Sequence, residues 1–180
     1  GHTVNGQYLL ALFERAYSSN DTLTQATRFI TNELFGSYGI VVLDGDDQEL
    51  KKQFTSYIEE ELFTKKGFKE ITKTSQSLIS AGYDQQVHPR EINLFYIQDG
   101  LRERILEKDG MFLINNTSLV FSKAQMQEQV TKYPQRFSPN ALLRPLYQEV
   151  ILPNLCYVGG GGELAYWFQL KDYFESIEKK

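Results

Sequence analysis

The chain has 180 residues, of which 41% are hydrophobic and 23% are charged, and its formal net charge is −4. These values are typical of a folded globular protein and argue against a disordered or fibrous chain, while the acidic balance argues against a nucleic-acid partner. No apolar run approaches the about 20 residues of a membrane helix, and the amino terminus has no signal-peptide pattern. We therefore expect a soluble, cytoplasmic protein with no membrane partner.

Helix and strand signals alternate in the first part of the chain. Thr22 and Gln25 form a capping-box pair that predicts the start of a helix. The β-branched run at residues 39–44 predicts a strand covered on both faces, as in a parallel sheet. Asp46 and Glu49 then predict the start of a further helix, and strand, polar turn and helix together are the unit of a doubly wound sheet.

The pattern changes at about residue 85, where short apolar runs are separated by Asp99-Gly100 and Asp109-Gly110. Such dipeptides between strands predict hairpins, and hence an antiparallel sheet with one wet face. The sequence therefore predicts an α/β fold with a Rossmann-like partial parallel sheet and helices in residues 1–84 and 122–180. An inserted antiparallel β meander is predicted at residues 85–121.

The carboxy-terminal part repeats the strand, loop and helix pattern. Residues 155–158 predict a short buried strand that precedes a glycine-rich loop and a helix. Cys156, the only cysteine, falls in this strand without a neighbouring His or Lys, so a buried inert thiol is favoured over a nucleophile. No spacing of ligand residues predicts a metal site.

Four consecutive glycines, Gly159, Gly160, Gly161 and Gly162, form this loop, and Glu163 follows at the start of the helix. Without side chains the backbone can approach a ligand, and the free N–H groups of a helix start favour an anion. The alternative is that the glycines only allow tight packing between strand and helix. The sequence alone leaves both interpretations open.

A second group of polar residues lies just before the loop. Arg144 is suited to binding a carboxylate, and Asn140 and Gln148 are suited to hydroxyl or amide groups. The alternative is structural, with Asn140 capping a turn and Arg144 paired to a structural carboxylate. As a functional site, these residues would meet Glu163 and Tyr166, which lie on one face of the following helix, around one solvent-reachable cavity.

Several long segments carry a resemblance to a known family. Residues 22–28, 34–44, 90–102, 137–148 and 157–166 resemble the bacillithiol biosynthesis cysteine-adding enzymes over nearly the whole chain. The resemblance implies a core similar to that of class I aminoacyl-tRNA synthetases. It also implies formation of an amide between cysteine and glucosaminyl-malate on the route to a low-molecular-weight thiol.

The resemblance further implies that the chain is an internal fragment, inactive by itself. Family members have an additional amino-terminal part with a His-x-Gly-His-like motif, where the catalytic residues are expected, and a carboxy-terminal coiled coil through which a homodimer would form. The activating cofactor is not identified by the resemblance, although a nucleotide such as ATP is a candidate. Gly161 departs from the family pattern, in which proline is common at this position, and the change affects loop stiffness more than chemistry.

Two functional hypotheses follow from the sequence. The first is the substrate-binding half of a ligase, formed by Asn140, Arg144, Gln148 and the glycine loop. The second is a non-catalytic α/β scaffold or oligomerisation module of a larger nucleotide-binding protein. An exposed aromatic patch together with a blocked glycine loop would favour the scaffold.

Overall fold

The computed structural model describes residues 3–98 and 100–177, and it divides the chain into two compact units, Gly1–Gly45 and Asp46–Lys180. The first unit contains helices α1 (Val4–Ser18) and α2 (Leu23–Phe35). The second contains helices α3 (Gln48–Gln53), α4 (Thr55–Thr64), α5 (Lys66–Ser80), α6 (Lys123–Lys132), α7 (Arg144–Ile151), α8 (Gly161–Phe168) and α9 (Lys171–Ser176). None of the helices in the described residues is long and apolar enough to cross a membrane.

The capping box before α2 is confirmed. The Thr22 hydroxyl accepts the N–H of Gln25 at 3.2 Å, and the Gln25 side chain accepts the N–H of Thr22 at 3.2 Å. These reciprocal bonds satisfy backbone groups that the first helical turn leaves free. The start of α3 differs slightly from its prediction, because Asp47 and not Asp46 accepts the free N–H groups there.

The predicted strand at residues 39–44 is wrong. Residues 40–44 have an irregular backbone, and Ile40, Val41 and Leu43 are 47%, 77% and 40% exposed. Strand propensity is expressed only where a neighbouring strand accepts the backbone hydrogen bonds, and the described residues of this unit supply none. The parallel sheet that this run predicted is accordingly not seen among the described residues.

The antiparallel meander is confirmed. Its strands are β1 (Leu94–Gln98), β2 (Leu101–Lys108), β3 (Met111–Ile114), β4 (Val120–Ser122) and β5 (Phe137–Pro139), and the sheet order is β4-β3-β2-β1-β5. Gly100 and Gly110 have φ angles of 80° and 74°, which glycine adopts without strain in tight turns. Asp99, in the first predicted turn, lies outside the described residues.

Strand β5 joins the sheet from outside the predicted meander. It pairs with β1 through Leu94–Pro139, Phe95–Ser138 and Tyr96–Phe137. The predicted division into core segments and an insertion stays a prediction. Pairing of β5 with β1 nevertheless places the start of α7 directly beside the meander.

One face of the sheet packs against helices of the second unit. Leu94, Tyr96, Ile105, Phe112 and Ile114 point into a common core and are at most 2% exposed. Side chains from α4, α6 and α7 fill the other side of this core, among them Ile58, Leu62, Met126, Val130 and Leu146. Burial of such side chains is the main stabilising contribution to this unit.

The predicted buried strand at residues 155–158 is also wrong. The segment is irregular, and Leu155 and Val158 are fully or almost fully exposed, at 102% and 90%. Cys156 is exposed as well, so the prediction of a buried thiol is corrected. The reason is the same as for residues 39–44, since no described strand lies alongside to pair with this short run.

Candidate functional site

Asn140 fixes the position at which α7 begins. Its side-chain oxygen accepts the N–H groups of Leu142 and Leu143 at 2.9 and 3.2 Å, and its amide nitrogen donates to Asn93 Oδ1 at 2.9 Å. The Asn140 backbone N–H also donates to the Asn93 carbonyl at 3.0 Å. All of these bonds are internal to the fold. Asn140 therefore orients the helix that carries Arg144 and does not itself face a ligand site, as the structural alternative predicted.

The glycine loop is open to solvent, and its last two residues, Gly161 and Gly162, already belong to the first turn of α8. Gly160, Gly161 and Gly162 are exposed, and a Cβ atom built on any of them would have no neighbouring atom within 4 Å. Gly159 differs, because a Cβ atom there would lie 2.8 Å from the Tyr157 ring. Tight packing thus explains Gly159 but not the three glycines that follow it. Bare backbone beside open space at these three positions permits close approach of a ligand.

Arg144 joins α7 to the first turn of α8. Its Nη2 atom donates to Glu163 Oε1 at 2.6 Å and to the Tyr166 hydroxyl at 3.0 Å. The Tyr166 hydroxyl lies 3.3 Å from the same Glu163 oxygen, and Arg144 Nη1 lies 3.4 Å from Gln148 Oε1. Four predicted site residues are therefore brought together on two helices.

Tyr157 completes this group, although the sequence analysis did not assign it to the site. Its hydroxyl lies close enough to Glu163 and Arg144 to shift the pKa values of all three groups, and its ring stacks on Trp167 with centroids 3.9 Å apart. An aromatic residue two positions before the glycine run was the available signal. We name Arg144, Gln148, Tyr157, Glu163 and Tyr166 the arginine cluster.

Hydrogen bonding keeps both charges of the arginine cluster in place. The bond from Tyr157 and the proximity of Arg144 hold the pKa of Glu163 below its ordinary value. Partial burial lowers the pKa of Arg144, but its bonds with Tyr166 and Tyr157 outweigh this effect and raise it. The pKa of Tyr157 is raised by its bond with Glu163. The cluster thus presents one guanidinium and one carboxylate at neutral pH, with the neutral phenol of Tyr157 beside them.

Two cavities lie on either side of α8. The first, of about 420 Å³, is lined by Glu149, Leu152, Pro153, Asn154, Leu155, Cys156, Tyr157, Trp167 and Phe174. The second, of about 730 Å³, is lined by Leu78, Gly82, Tyr83, Asp84, Gln86, Gly161, Leu164, Ala165 and Phe168. Neither wall contains Asn140, Arg144, Glu163 or Tyr166, so neither is the shared cavity that the sequence predicted. The cluster instead occupies an open surface, with 46% of the Arg144 side chain and 33% of the Glu163 side chain exposed.

Side chains that could bind a metal ion do not cluster in the part of the chain that the structure describes. No set of three or more His, Cys, Asp or Glu side chains is placed to hold a metal ion among residues 3–98 and 100–177. Asp46, at the first predicted turn, pairs with Lys51 at 3.2 Å.

Comparison with known proteins gives the family. The family model for bacillithiol biosynthesis BshC, N-terminal Rossmann-like domain, matches residues 1–180. A protein from Christiangramia forsetii named "Putative cysteine ligase BshC" is 51% identical over 96% of this chain and 32% of its own length. Proteins of the same name from Flavobacterium johnsoniae and Shouchella clausii are 49% and 33% identical, over 98% and 96% of this chain.

The chain spans about a third of the length of these curated relatives. The family model nevertheless matches all 180 residues of this chain. The resemblance expected from the motifs is confirmed, and the chain belongs to the BshC family of bacillithiol biosynthesis, in which it matches the N-terminal Rossmann-like domain.

Proposed function

We propose that this chain is the substrate-binding part of a carbon–nitrogen ligase that joins cysteine to glucosaminyl-malate. The name of the relatives supports a cysteine ligase, and the chain supplies a polar cluster suited to charged small molecules. In the proposed reaction the sugar amine attacks the carboxyl carbon of cysteine, and the C–N bond forms as one C–O bond of the carboxyl group breaks. The net by-product is one water, which contains the departing oxygen and two protons of the ammonium group. The groups that activate the carboxyl are predicted to lie outside this chain.

The observation that carries the proposal is the contact of Arg144 with Glu163 and Tyr166 beside an open glycine loop. A guanidinium presents a planar fork of donors that matches a carboxylate, and malate carries two carboxylates. Glu163 holds the guanidinium in position by accepting a hydrogen bond from Arg144 Nη2. A substrate carboxylate can then compete for the remaining donors with little loss of side-chain entropy, because the fork is already oriented.

The state of the glycine loop favours a ligase over a scaffold. A scaffold was predicted to combine an aromatic surface with a blocked loop, but Gly160, Gly161 and Gly162 face open space. The partly exposed Arg144 is bonded to Glu163, which directly follows these glycines in the chain. The open loop and the guanidinium are both of use to a protein that binds a small molecule here.

A nucleotide fits these residues poorly. The cluster has a single cation, which one carboxylate group can share with Glu163 but which cannot neutralise the several charges of a polyphosphate. No step of the proposed reaction is therefore derived through a nucleotide at this loop. ATP remains a candidate for activating cysteine elsewhere in a longer protein, and a homodimer remains a prediction.

Calorimetric titration of the chain with glucosaminyl-malate and with malate tests the proposal. Replacement Arg144→Gln should weaken binding of both ligands about tenfold or more, because a charged hydrogen bond is replaced by a neutral one. Arg15→Gln is a matched control, since Arg15 forms a similarly exposed ion pair with Glu33 at 2.8 Å in the first unit. Equal binding by the Arg144→Gln and Arg15→Gln chains would reject the arginine cluster as the substrate site.

A further inference from the structure

One residue that lines the 420 Å³ cavity next to Tyr157 carries a hydrogen-bond donor without a partner. Trp167 lines this cavity, and its indole Nε1 atom is buried with no acceptor among the described residues. A buried N–H group that lacks an acceptor costs free energy unless water or a ligand supplies one. The cavity volume falls within the range of small-molecule sites.

Stacking determines which part of Trp167 a ligand can reach. Tyr157 stacks on the indole at a centroid distance of 3.9 Å and an interplanar angle of 12°, and Phe174 lies at 6.0 Å and 25°. Neighbouring rings therefore occupy the space over the indole plane. A ligand in the cavity meets the edge of the ring, where a hydroxyl oxygen can accept the Nε1 proton.

Glu149 supplies the opposite chemistry in the same wall. Its Oε1 atom accepts a hydrogen bond from Asn154 Nδ2 at 2.8 Å, and no cation pairs with this carboxylate in residues 3–98 and 100–177. An unpaired carboxylate in a half-enclosed cavity attracts an ammonium group, and Asn154 adds amide groups that bind hydroxyls.

The cavity wall has no basic residue, so it disfavours ligands that place a carboxylate inside the cavity. The nine residues of the wall include no Lys, Arg or His. An amino acid would therefore place its carboxylate beside Glu149 without a positive partner, whereas an amino sugar carries hydroxyls in place of that carboxylate. Walls of Leu152, Pro153 and the aromatic rings suit the apolar faces of a sugar ring.

We propose that this cavity is the subsite for the aminohexose group of the substrate. Its amine is bound by Glu149 and a hydroxyl by Trp167 Nε1. Tyr157 forms part of the cavity wall and belongs to the arginine cluster, so the anionic part of the same molecule would extend past Tyr157 toward Arg144. The identity of the sugar rests on the proposed function, but the pairing of an ammonium with Glu149 does not.

Trp167 is the only tryptophan of the sequence, and its fluorescence therefore reports on this cavity. Titration with methyl glucosaminide should change the emission and saturate. Methyl glucoside, which lacks the amine, should bind about tenfold or more weakly, and L-cysteine should also bind more weakly. Tighter binding of L-cysteine than of methyl glucosaminide would overturn the assignment in favour of an amino-acid site.

Glu149→Gln separates this subsite from the arginine cluster. The change keeps the oxygen that Asn154 binds and removes the charge, so methyl glucosaminide should bind about tenfold or more weakly. Asp84→Asn, in the wall of the other cavity, is the control and should leave binding unchanged. A Glu149→Gln chain that responds like the unmodified chain would reject the subsite.

The Arg144→Gln chain keeps the two proposals distinguishable. It should bind methyl glucosaminide normally while losing affinity for glucosaminyl-malate. If it keeps its affinity for glucosaminyl-malate, and Glu149→Gln lowers that affinity, the arginine cluster fails and the aminohexose subsite stands. If only Arg144→Gln lowers it, the subsite fails and the proposed function stands.

Discussion

Glu61 and Arg144 each lie at the centre of a hydrogen-bonded cluster in the second unit. The two clusters differ in whether their hydrogen bonds are buried or exposed to solvent. Glu61 is 0% exposed, and its two oxygens accept the Asn93 backbone N–H, the Asn93 side-chain amide and the Gly67 N–H. Arg144 is half exposed and bonded to flexible side chains on another helix.

This difference assigns separate roles to the two clusters. Burial raises the pKa of Glu61, and the bonds from Asn93 and Gly67 oppose that increase without cancelling it. A buried carboxyl with fixed backbone partners cannot exchange them for a ligand, so it stabilises the fold. The arginine cluster loses little when a solvent-accessible bond is exchanged, and its surface bonds contribute little to stability. We therefore expect a ligand to bind at the arginine cluster, because it can replace hydrogen bonds there.

The largest effect should come from Asn93→Ala. The change removes the amide that donates to Glu61 and to the Arg90 carbonyl and accepts from Asn140, so it should lower the free energy of unfolding by about 2–4 kcal/mol. Urea unfolding measures this loss. Asn115→Ala, at a half-buried position with no side-chain hydrogen bond among the described residues, should change stability by less than about 0.5 kcal/mol.

The loss caused by Asn93→Ala should also depend on pH. The folded-state pKa of Glu61 is raised, so its contribution is fully present below the ordinary pKa of 4.5 and is lost as pH rises through the folded value. Removing Asn93 raises this pKa further and widens that window. The variant should therefore be relatively more destabilised at neutral pH than at pH 4.5, and an equal loss at both would contradict the role of Glu61.

Gly159→Ala should have an intermediate effect. The new Cβ atom would lie 2.8 Å from the Tyr157 ring, and relief of the overlap should cost about 1–2 kcal/mol and move that ring from Trp167. Near-ultraviolet circular dichroism of the stacked pair detects the movement. Gly161→Ala places a Cβ atom in open space and should leave the spectrum unchanged. Identical spectra for the two variants would show that Gly159 does not hold Tyr157 in place.

Tyr157→Phe should have the smallest effect on stability. The ring and its stack on Trp167 remain, but Glu163 loses the hydrogen bond that contributes most to its lowered pKa. The pKa of Glu163 should rise toward 4.5, as carboxyl NMR titration can measure. The contribution of this ionised carboxylate is present above its ordinary pKa and is lost as pH falls through the folded value, so in the variant it should be smaller and should be lost completely at a higher pH. An unchanged pKa would separate Tyr157 from the cluster.

Sequence patterns predicted what depends on neighbouring residues in the chain. The capping box at Thr22 and the hairpins of the meander are local, and the structure confirms them. Residues 39–44 and 94–98 are both rich in strand-forming residues, yet only the second becomes a strand, because β2 and β5 lie on its two sides. Strand formation depends on such distant partners, and a single sequence does not reveal them.

The sequence predicted some residues of the candidate site but not all of them. Arg144, Gln148, Glu163 and Tyr166 were chosen for their side-chain chemistry, and helical spacing placed Glu163 and Tyr166 on one face. The contact of α7 with α8 that brings Arg144 to them is a tertiary contact. Asn140 has equally suitable chemistry, but Asn93, 47 residues earlier in the chain, holds it inside the fold. Tyr157 was overlooked because its position depends on stacking against Trp167, a contact that no local pattern encodes.

The pairing of β5 with β1 restricts how the protein can vary in length during evolution. Strand β5 is anchored at Phe137, and α7 begins only a few residues later, at Arg144. One inserted residue ahead of Arg144 would change the facing of the helix by about 100°, which is one residue of a 3.6-residue turn. The guanidinium would then point away from Glu163. Substitutions in this short connection can be tolerated, whereas insertions and deletions should be selected against.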